Sequence, residues 1–164
     1  MDSLDTLRHA VAVSRAGAWP EQRAEATVTL TFNDRHRRRF RLTDDHGRPF
    51  LLDLATATRL ANGDGLEMDD GGWLCVIAAD EPVATIRAAT PRAVARIAWH
   101  LGNRHTPVEV RPDGSLRILD DHVLVAMVEG LGGRVSRSQA PFNPEAGAYS
   151  GQGHGHGHGH SHDR

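Results

Sequence analysis

The last fifteen residues carry the densest group of side chains that could bind a metal ion. In the segment SGQGHGHGHGHSHDR, glycine or serine alternates with His154, His156, His158, His160 and His162. Neutral imidazole is a ligand for nickel, copper and zinc, whereas calcium and magnesium prefer oxygen. Glycine between the histidines lets the backbone fold around an ion, at a cost in conformational entropy. The segment indicates metal binding; a purification tag is the alternative, although tags are usually an unbroken run of histidines.

Two more histidines lie in the stretch WHLGNRHTPVEV, where His100 falls inside a predicted helix and His105 beyond its end. Five residues of helix turn the chain by about 140°, so the two imidazoles do not share a chelating face. The pair Gly102–Asn103 predicts a left-handed cap that directs His105 out of the helix. His105 therefore becomes a metal ligand if a second copy of the chain, or the tail, supplies further donors. A plain surface histidine is the alternative.

His122 follows Asp120 and Asp121 at the start of a second predicted helix. The positive end of the helix dipole disfavours a protonated imidazole there, whereas the two carboxylates favour one. His122 is accordingly either a neutral metal ligand or a solvated residue of the first helical turn.

Two other groups of residues are weaker candidates. Cys75 lies in the apolar run WLCVIAA and is predicted to be a small buried hydrophobic residue. Residues 35–41, RHRRRFR, contain five arginines and one histidine. Because the chain has a net charge of −2, this run predicts a solvated edge strand or a face for an acidic protein partner, rather than a nucleic-acid site.

The absence of known catalytic motifs and of long apolar runs, together with the single cysteine, indicates the class of protein and its compartment. The sequence contains no HExxH, GxSxG or P-loop motif and no paired-cysteine zinc motif, which favours a protein that is not an enzyme. The single cysteine fits a reducing compartment. The first residues lack a signal pattern, and no apolar run approaches the roughly 20 residues that cross a bilayer. A cytoplasmic protein without nucleic-acid or membrane partners is expected.

The elements that must position these residues fall into two halves of an α+β fold. Residues 1–80 predict a small β-domain, because EATVTLTF alternates apolar and polar residues and RRRFRL, PFLLDLA and WLCVIAA are further strands between polar turns. The second half predicts the order strand, helix, strand, strand, helix, strand. This is the ferredoxin-like βαββαβ arrangement.

Capping residues and apolar spacing predict the limits and buried faces of the two helices. The first begins with Thr90 as N-cap and Pro91 at its first position, and it ends at Gly102. Its buried stripe is Val94, Ile97, Ala98 and Leu101. The second helix is capped by Asp120 or Asp121, and its apolar positions are Val123, Met127, Val128 and Leu131. Residues 150–164 contain nothing to bury and are predicted to be disordered without a ligand.

Several strings of the second half resemble the UreE family of urease accessory proteins, which are nickel metallochaperones. The strings are HLGNRH, DDHVLVAMVEGLG and APFNPEAGAY, followed by the His-rich tail. The resemblance covers residues 83–149, and the first half resembles the family more loosely, through LANGDGLEMDDG and AADEPVATIRA.

The resemblance implies a homodimer with an N-terminal domain that binds peptides or partners and a C-terminal domain that binds metal. It also implies delivery of Ni(II) to apo-urease through an accessory GTPase. In the family the histidine that ends Gly-Asn-Arg-His binds metal at the dimer interface, and this residue is His105. Some members use a further histidine near the start of the second helix, where His122 lies, together with a histidine two residues earlier that is Asp120 here.

The sequence leaves alternatives open for the metal that is bound and for the function of the protein. Nickel is implied by the family, and imidazole sites also accept Zn(II) or Cu(II). Five tail histidines favour capture and hand-over of one or a few ions over storage. A general divalent-metal buffer or a protein-interaction module without urease specificity is the alternative function.

Overall fold

A computed structural model of the chain describes residues 7–147, which form two sheets and two α-helices. The N-terminal sheet has six strands, and a short 3-10 helix spans Glu21–Arg23 before the second. The strands are β1 (Arg8–Ser14), β2 (Ala24–Leu30), β3 (His36–Thr43), β4 (Pro49–Arg59), β5 (Gly65–Met68) and β6 (Trp73–Ala78).

The N-terminal sheet has the strand order β2-β6-β5-β1-β4-β3, so β2 and β3 are its edges. The pairs β1–β4 and β2–β6 are parallel, and the other neighbours are antiparallel. The four predicted strands are confirmed as β2, β3, β4 and β6. The other two strands, β1 and β5, lie in segments for which the sequence predicts none.

The alternation in EATVTLTF is confirmed in β2, where Ala26, Val28 and Leu30 are buried in the N-terminal core. Phe32 continues the alternation but lies in the turn after β2, and it packs in a separate cluster with Val83 and Phe142. This small cluster joins the N-terminal sheet to the C-terminal half.

The C-terminal half has the predicted element order. Its elements are β7 (Asp80–Arg87), α1 (Pro91–Asn103), β8 (Glu109–Val110), β9 (Leu116–Leu119), α2 (His122–Gly130) and β10 (Arg134–Pro141). The sheet has the order β10-β7-β9-β8 with every neighbouring pair antiparallel. The two helices pack on this sheet, and Ile97 and Leu101 of α1 share a core with Val125 and Val128 of α2.

The predicted start and buried stripe of α1 are confirmed. The Thr90 hydroxyl accepts a hydrogen bond from the Ala93 amide at 3.1 Å, and Pro91 is the first helical residue. Ile97 and Leu101 are fully buried, and the other two stripe residues are partly buried.

One buried position of α2 differs from the prediction. Val128 is buried, and Met127 and Leu131 are partly buried, as expected. Val123 is 55% exposed, whereas Val125 is buried in its place. Val123 is the second residue of a nine-residue helix, and the face of α2 toward the sheet begins two residues later.

Two further expectations concern membrane-spanning helices and the His-rich tail. Within residues 7–147, neither helix has the length and apolar composition that crossing a bilayer requires. The predicted disordered tail, with its five histidines, lies outside the described residues.

Candidate metal centre

Helix α1 ends in a hydrogen-bonding pattern that puts His105 in the left-handed backbone region. The Thr106 amide donates to the Leu101 carbonyl at 3.1 Å, and the His105 amide donates to the Gly102 carbonyl at 2.9 Å. This pair of bonds is a Schellman motif, whose residue of positive φ is usually glycine. His105 has a φ of 56° and is the sole non-glycine residue with positive φ within residues 7–147. The helix extends to Asn103, one residue beyond the predicted end.

The left-handed backbone conformation at His105 destabilises the folded state. For a residue with a Cβ atom this conformation costs about 1–2 kcal/mol. Such positions cluster at functional sites, where the surrounding structure holds them in place. The His105 side chain is exposed, so the strained backbone presents the imidazole to solvent.

Two cavities border His105. The first, of about 310 Å³, is also lined by Asp121 and Leu124 at the start of α2 and by Phe142 after β10. The second, of about 650 Å³, is lined by Ala98 and Val110 and by residues 144–147. His105 therefore lies where the end of α1, the start of α2 and the segment leading to the tail meet.

His122 is the first residue of α2 and is exposed. The residue before it, Asp121, is the N-cap, and its carboxylate accepts hydrogen bonds from the amides of Val123 at 2.9 Å and Leu124 at 3.0 Å. The hydrogen bond from the Leu124 amide lowers the pKa of Asp121, so this residue is a carboxylate at neutral pH. Of the two predicted capping acids, the structure selects Asp121.

The other acid, Asp120, is engaged elsewhere. Both of its carboxylate oxygens lie 3.1 Å from Nε of Arg137 on β10. Asp121 lines the first cavity with His105, whereas His122 does not belong to the described lining of either cavity that His105 borders. The two predicted histidine ligands of the C-terminal domain are thus on neighbouring elements but not around one cavity.

The described residues of a single chain supply few metal-binding side chains around His105. Within residues 7–147, no group of three or more histidine, cysteine, aspartate or glutamate side chains is arranged to hold a metal ion. His105 is the imidazole that the two cavities share. A complete coordination sphere there needs donors from a second chain or from the tail.

An exposed apolar surface adjoins His105. Val110 on β8 is 52% exposed. Ala98 and Val110 line the second cavity with His105 and also a cavity of about 550 Å³ at the other end of α1. The apolar surface is therefore continuous from the start of α1 to His105.

Sequence reasoning did not identify the segment after β10 as part of this centre. The Asn143 amide donates to a carboxylate oxygen of Glu109 at 3.1 Å, and the Glu145 amide donates to the Val108 carbonyl at 2.8 Å. These bonds hold the segment PFNPEAG against the loop after His105. The residue types of this segment do not indicate that it lines a metal centre. The signal that could have identified it is the resemblance of the string APFNPEAGAY to the family.

The predictions for Cys75 and for the arginine-rich run 35–41 agree with the structure only in part. Cys75 is half-buried rather than buried, because it lies on the less covered face of β6, and burial raises the pKa of its thiol. The arginine-rich run forms the predicted edge strand β3, whose arginines are exposed. The prediction is wrong for Arg35, which lies in the turn before β3 and is 2% exposed.

Comparison with known families gives two matches that together cover nearly the whole chain. The family model described as UreE urease accessory protein, N-terminal domain, matches residues 8–79. The model described as UreE urease accessory protein, C-terminal domain, matches residues 81–164.

Curated proteins named urease accessory protein UreE are similar to this chain over most of its length. One from Bradyrhizobium sp. strain BTAi1 is 52% identical over 132 residues, which are 80% of this chain and 63% of that protein. One from Beijerinckia indica is 43% identical over 88% of this chain and 83% of that protein. One from Pseudomonas putida strain GB-1 is 50% identical over 75% of this chain and 74% of that protein. The chain therefore spans less than two thirds of the Bradyrhizobium relative.

Proposed function

The chain belongs to the UreE family of urease accessory proteins, and on that premise we propose that it captures Ni(II) and delivers it to apo-urease during assembly of the urease active site. The observation that carries the proposal is His105, an exposed imidazole held at a backbone position that glycine usually fills. The backbone of the helix end does not require a histidine at this position. A metal ion that binds the imidazole explains why histidine is present there.

The first supporting argument concerns a second copy of the chain. A twofold axis beside His105 would bring two imidazoles to one ion, because a symmetric interface repeats each residue. Ala98 and the exposed Val110 line a cavity with His105, and exposed apolar patches mark interaction sites. We infer a homodimer through this surface, with Ni(II) between the two copies of His105.

The second argument concerns the tail. Gly147, the last described residue, lines the second cavity with His105. His154 lies seven positions further along the chain, and an extended chain of that length reaches up to about 25 Å. Histidines 154, 156, 158, 160 and 162 are therefore within reach of an ion at His105. They are proposed as additional ligands that complete its coordination.

His122 is proposed as a ligand of a secondary site. It is exposed on the first turn of α2, directly after the N-cap Asp121. The carboxylate of Asp120 is paired with Arg137, so a metal at His122 would draw its further donors from the tail.

The finer assignments follow from family membership together with these donors. Nickel is taken from the family, since imidazoles also accept Zn(II) and Cu(II). The accessory GTPase and apo-urease are the proposed partners, in the cytoplasm, and the protein acts without catalysing a reaction. The antiparallel strand order β10-β7-β9-β8 supports a ferredoxin-like domain over residues 83–149, after an N-terminal partner-binding domain over residues 1–80.

The proposal is tested by activation of apo-urease at limiting nickel, with the purified accessory GTPase complex present. The wild-type chain should stimulate activation, and His105→Gly should abolish most of the stimulation because it removes the imidazole without removing the helix end. His100→Ala is the matched control and should retain stimulation. Equal stimulation by wild type and His105→Gly would refute the assignment. A general buffer would retain neither urease nor the GTPase in a pull-down.

A further inference from the structure

We propose that the open edge of strand β3 binds an extended, carboxylate-rich segment of a partner protein, which adds to the N-terminal sheet as a further strand. The inference rests on the part of the proposed function that gives residues 1–80 a partner-binding role. It names the surface that binds and the chemistry of the segment that is bound, and it does not involve the metal centre.

The two edges of the N-terminal sheet are not equally available for a further strand. At the β2 edge, the Asp45 amide donates to the Thr27 carbonyl at 2.9 Å, and the Thr29 amide donates to the Asp45 carboxylate at 3.1 Å. At the other edge, β3 pairs with β4 on one side only. Within the part of the chain that the structure describes, no other segment forms a hydrogen bond with the backbone of residues 37–43. Unpaired backbone groups of this kind are a template for another strand.

Strand β3 carries more positive charge than its neighbours neutralise. Its sequence, HRRRFRLT, contains four arginines and no acidic residue, and all four arginines are exposed. Asp34 lies 3.5 Å from Arg37, and Asp53 lies 3.7 Å from Arg39. In the described part of the chain, no carboxylate pairs with the other two arginines. The strand therefore keeps positive charge that an acidic partner can neutralise.

The register between β3 and β4 indicates where the carboxylates of the bound segment would lie. Leu42 is buried and is paired with the buried Phe50, so it faces the core. Arg39 and Arg41 point to the opposite face, because successive side chains alternate across a strand. On an added strand, side chains directly opposite these arginines would lie about 5 Å away, and opposite charges stabilise such pairs. The segment should therefore carry an acidic residue at every second position.

Two other occupants of this edge are disfavoured by the same features. A second copy of β3 would bring arginines close to arginines, and like charges on opposed residues are destabilising. A nucleic acid would leave the backbone groups of the edge unpaired, and the net charge of −2 is not typical of proteins that bind nucleic acids. An extended acidic segment satisfies both features, since main-chain hydrogen bonds supply affinity and alternate side chains supply specificity.

The test uses the full chain with a metal chelator at low ionic strength. The probe is a fluorescein-labelled peptide of eight residues, the length of β3, in which glutamate alternates with threonine. A peptide with glutamine in place of glutamate and a single-stranded oligonucleotide are the comparison ligands. The β3 variant carries Arg39→Gln and Arg41→Gln. The matched control carries Arg92→Gln and Arg96→Gln, which remove the same charge from exposed positions on α1.

Fluorescence anisotropy measures affinity, and hydrogen exchange of the β3 amides shows whether the peptide pairs with the edge. The glutamate peptide should bind wild type and the control with similar affinity, and the β3 variant about two- to thirtyfold more weakly, because two cross-strand charge pairs are lost. The glutamine peptide should bind wild type more weakly than the glutamate peptide. Binding of the glutamate peptide should slow exchange of alternate amides in β3.

Four results would each overturn the inference. They are no binding of the glutamate peptide, equal affinity for wild type and the β3 variant, unchanged exchange in β3, and tighter binding of the oligonucleotide than of the peptide. Because metal is absent throughout, any of these results would leave nickel capture at His105 as a separate question, which the activation assay answers.

Discussion

At the scale of single residues, His105 combines a backbone conformation suited to glycine with a side chain suited to nickel. The two hydrogen bonds of the Schellman motif fix the position, and any residue with a Cβ atom is strained there. Sequence reasoning placed the left-handed turn at Gly102–Asn103, because glycine and asparagine are the usual residues of such caps. The structure shows the turn two to three residues later, because α1 runs on to Asn103.

This conflict between backbone and side chain predicts opposite effects of one substitution on stability and on binding. His105→Gly should be more stable than His105→Ala by about 1 kcal/mol, because glycine adopts positive φ without the steric cost. Chemical denaturation of metal-free protein measures the difference. Both variants should lose the tight nickel site equally. If His105→Gly were the less stable variant, the strain assigned to this position would be wrong.

At the scale of elements, the turn between β3 and β4 is held by one buried carboxylate. Asp44 accepts hydrogen bonds from the amides of His46 and Arg48 and from Nε of Arg48, each at 2.9 Å. Burial raises the pKa of Asp44, but the hydrogen bonds from Arg48 and His46 outweigh it, so the net shift is downward from 3.8. A carboxylate with a lowered folded pKa contributes stability above its unfolded pKa, and this contribution is lost as the pH falls through the folded value.

The turn therefore predicts a specific acid sensitivity. Between pH 5 and pH 2 the wild-type chain should lose more unfolding free energy than Asp44→Asn, because asparagine has no charge to lose. Glu67→Gln, at an exposed position on β5, is the control and should follow the wild-type curve. Denaturation curves at several pH values measure these quantities. Parallel losses in wild type and Asp44→Asn would contradict the role of this carboxylate.

The elements also show how far the sequence predicts the structure. Strand β2 and helix α1 were predictable because their apolar residues repeat with clear periods and Thr90 and Pro91 mark the helix start. Strand β5 was not, because its four residues lie among glycines and aspartates that are typical of turns. Gly65 within it lies against the ring of Trp19, where an added Cβ would come within 2.4 Å. That packing requirement depends on a residue far away in the sequence.

At the scale of the whole molecule, the candidate centre depends on parts that are distant in sequence. Histidine types and the family resemblance predicted His105, but not that residues 144–147 line its cavity. Such contacts arise from tertiary packing and leave no local pattern. Residues 7–147 of one chain also lack a complete ligand set. The missing donors come from a second chain or from the tail, and we propose that two copies of the chain share one ion.

Nickel stoichiometry tests this proposal most directly. Equilibrium dialysis counts the ions in the tightest binding class, and sedimentation gives the mass of the protein that holds them. The account predicts one tight Ni(II) for every two wild-type chains, in a dimer, and loss of that ion in His105→Gly. A tight Ni(II) held by a single chain, or one that His105→Gly retains, would contradict it.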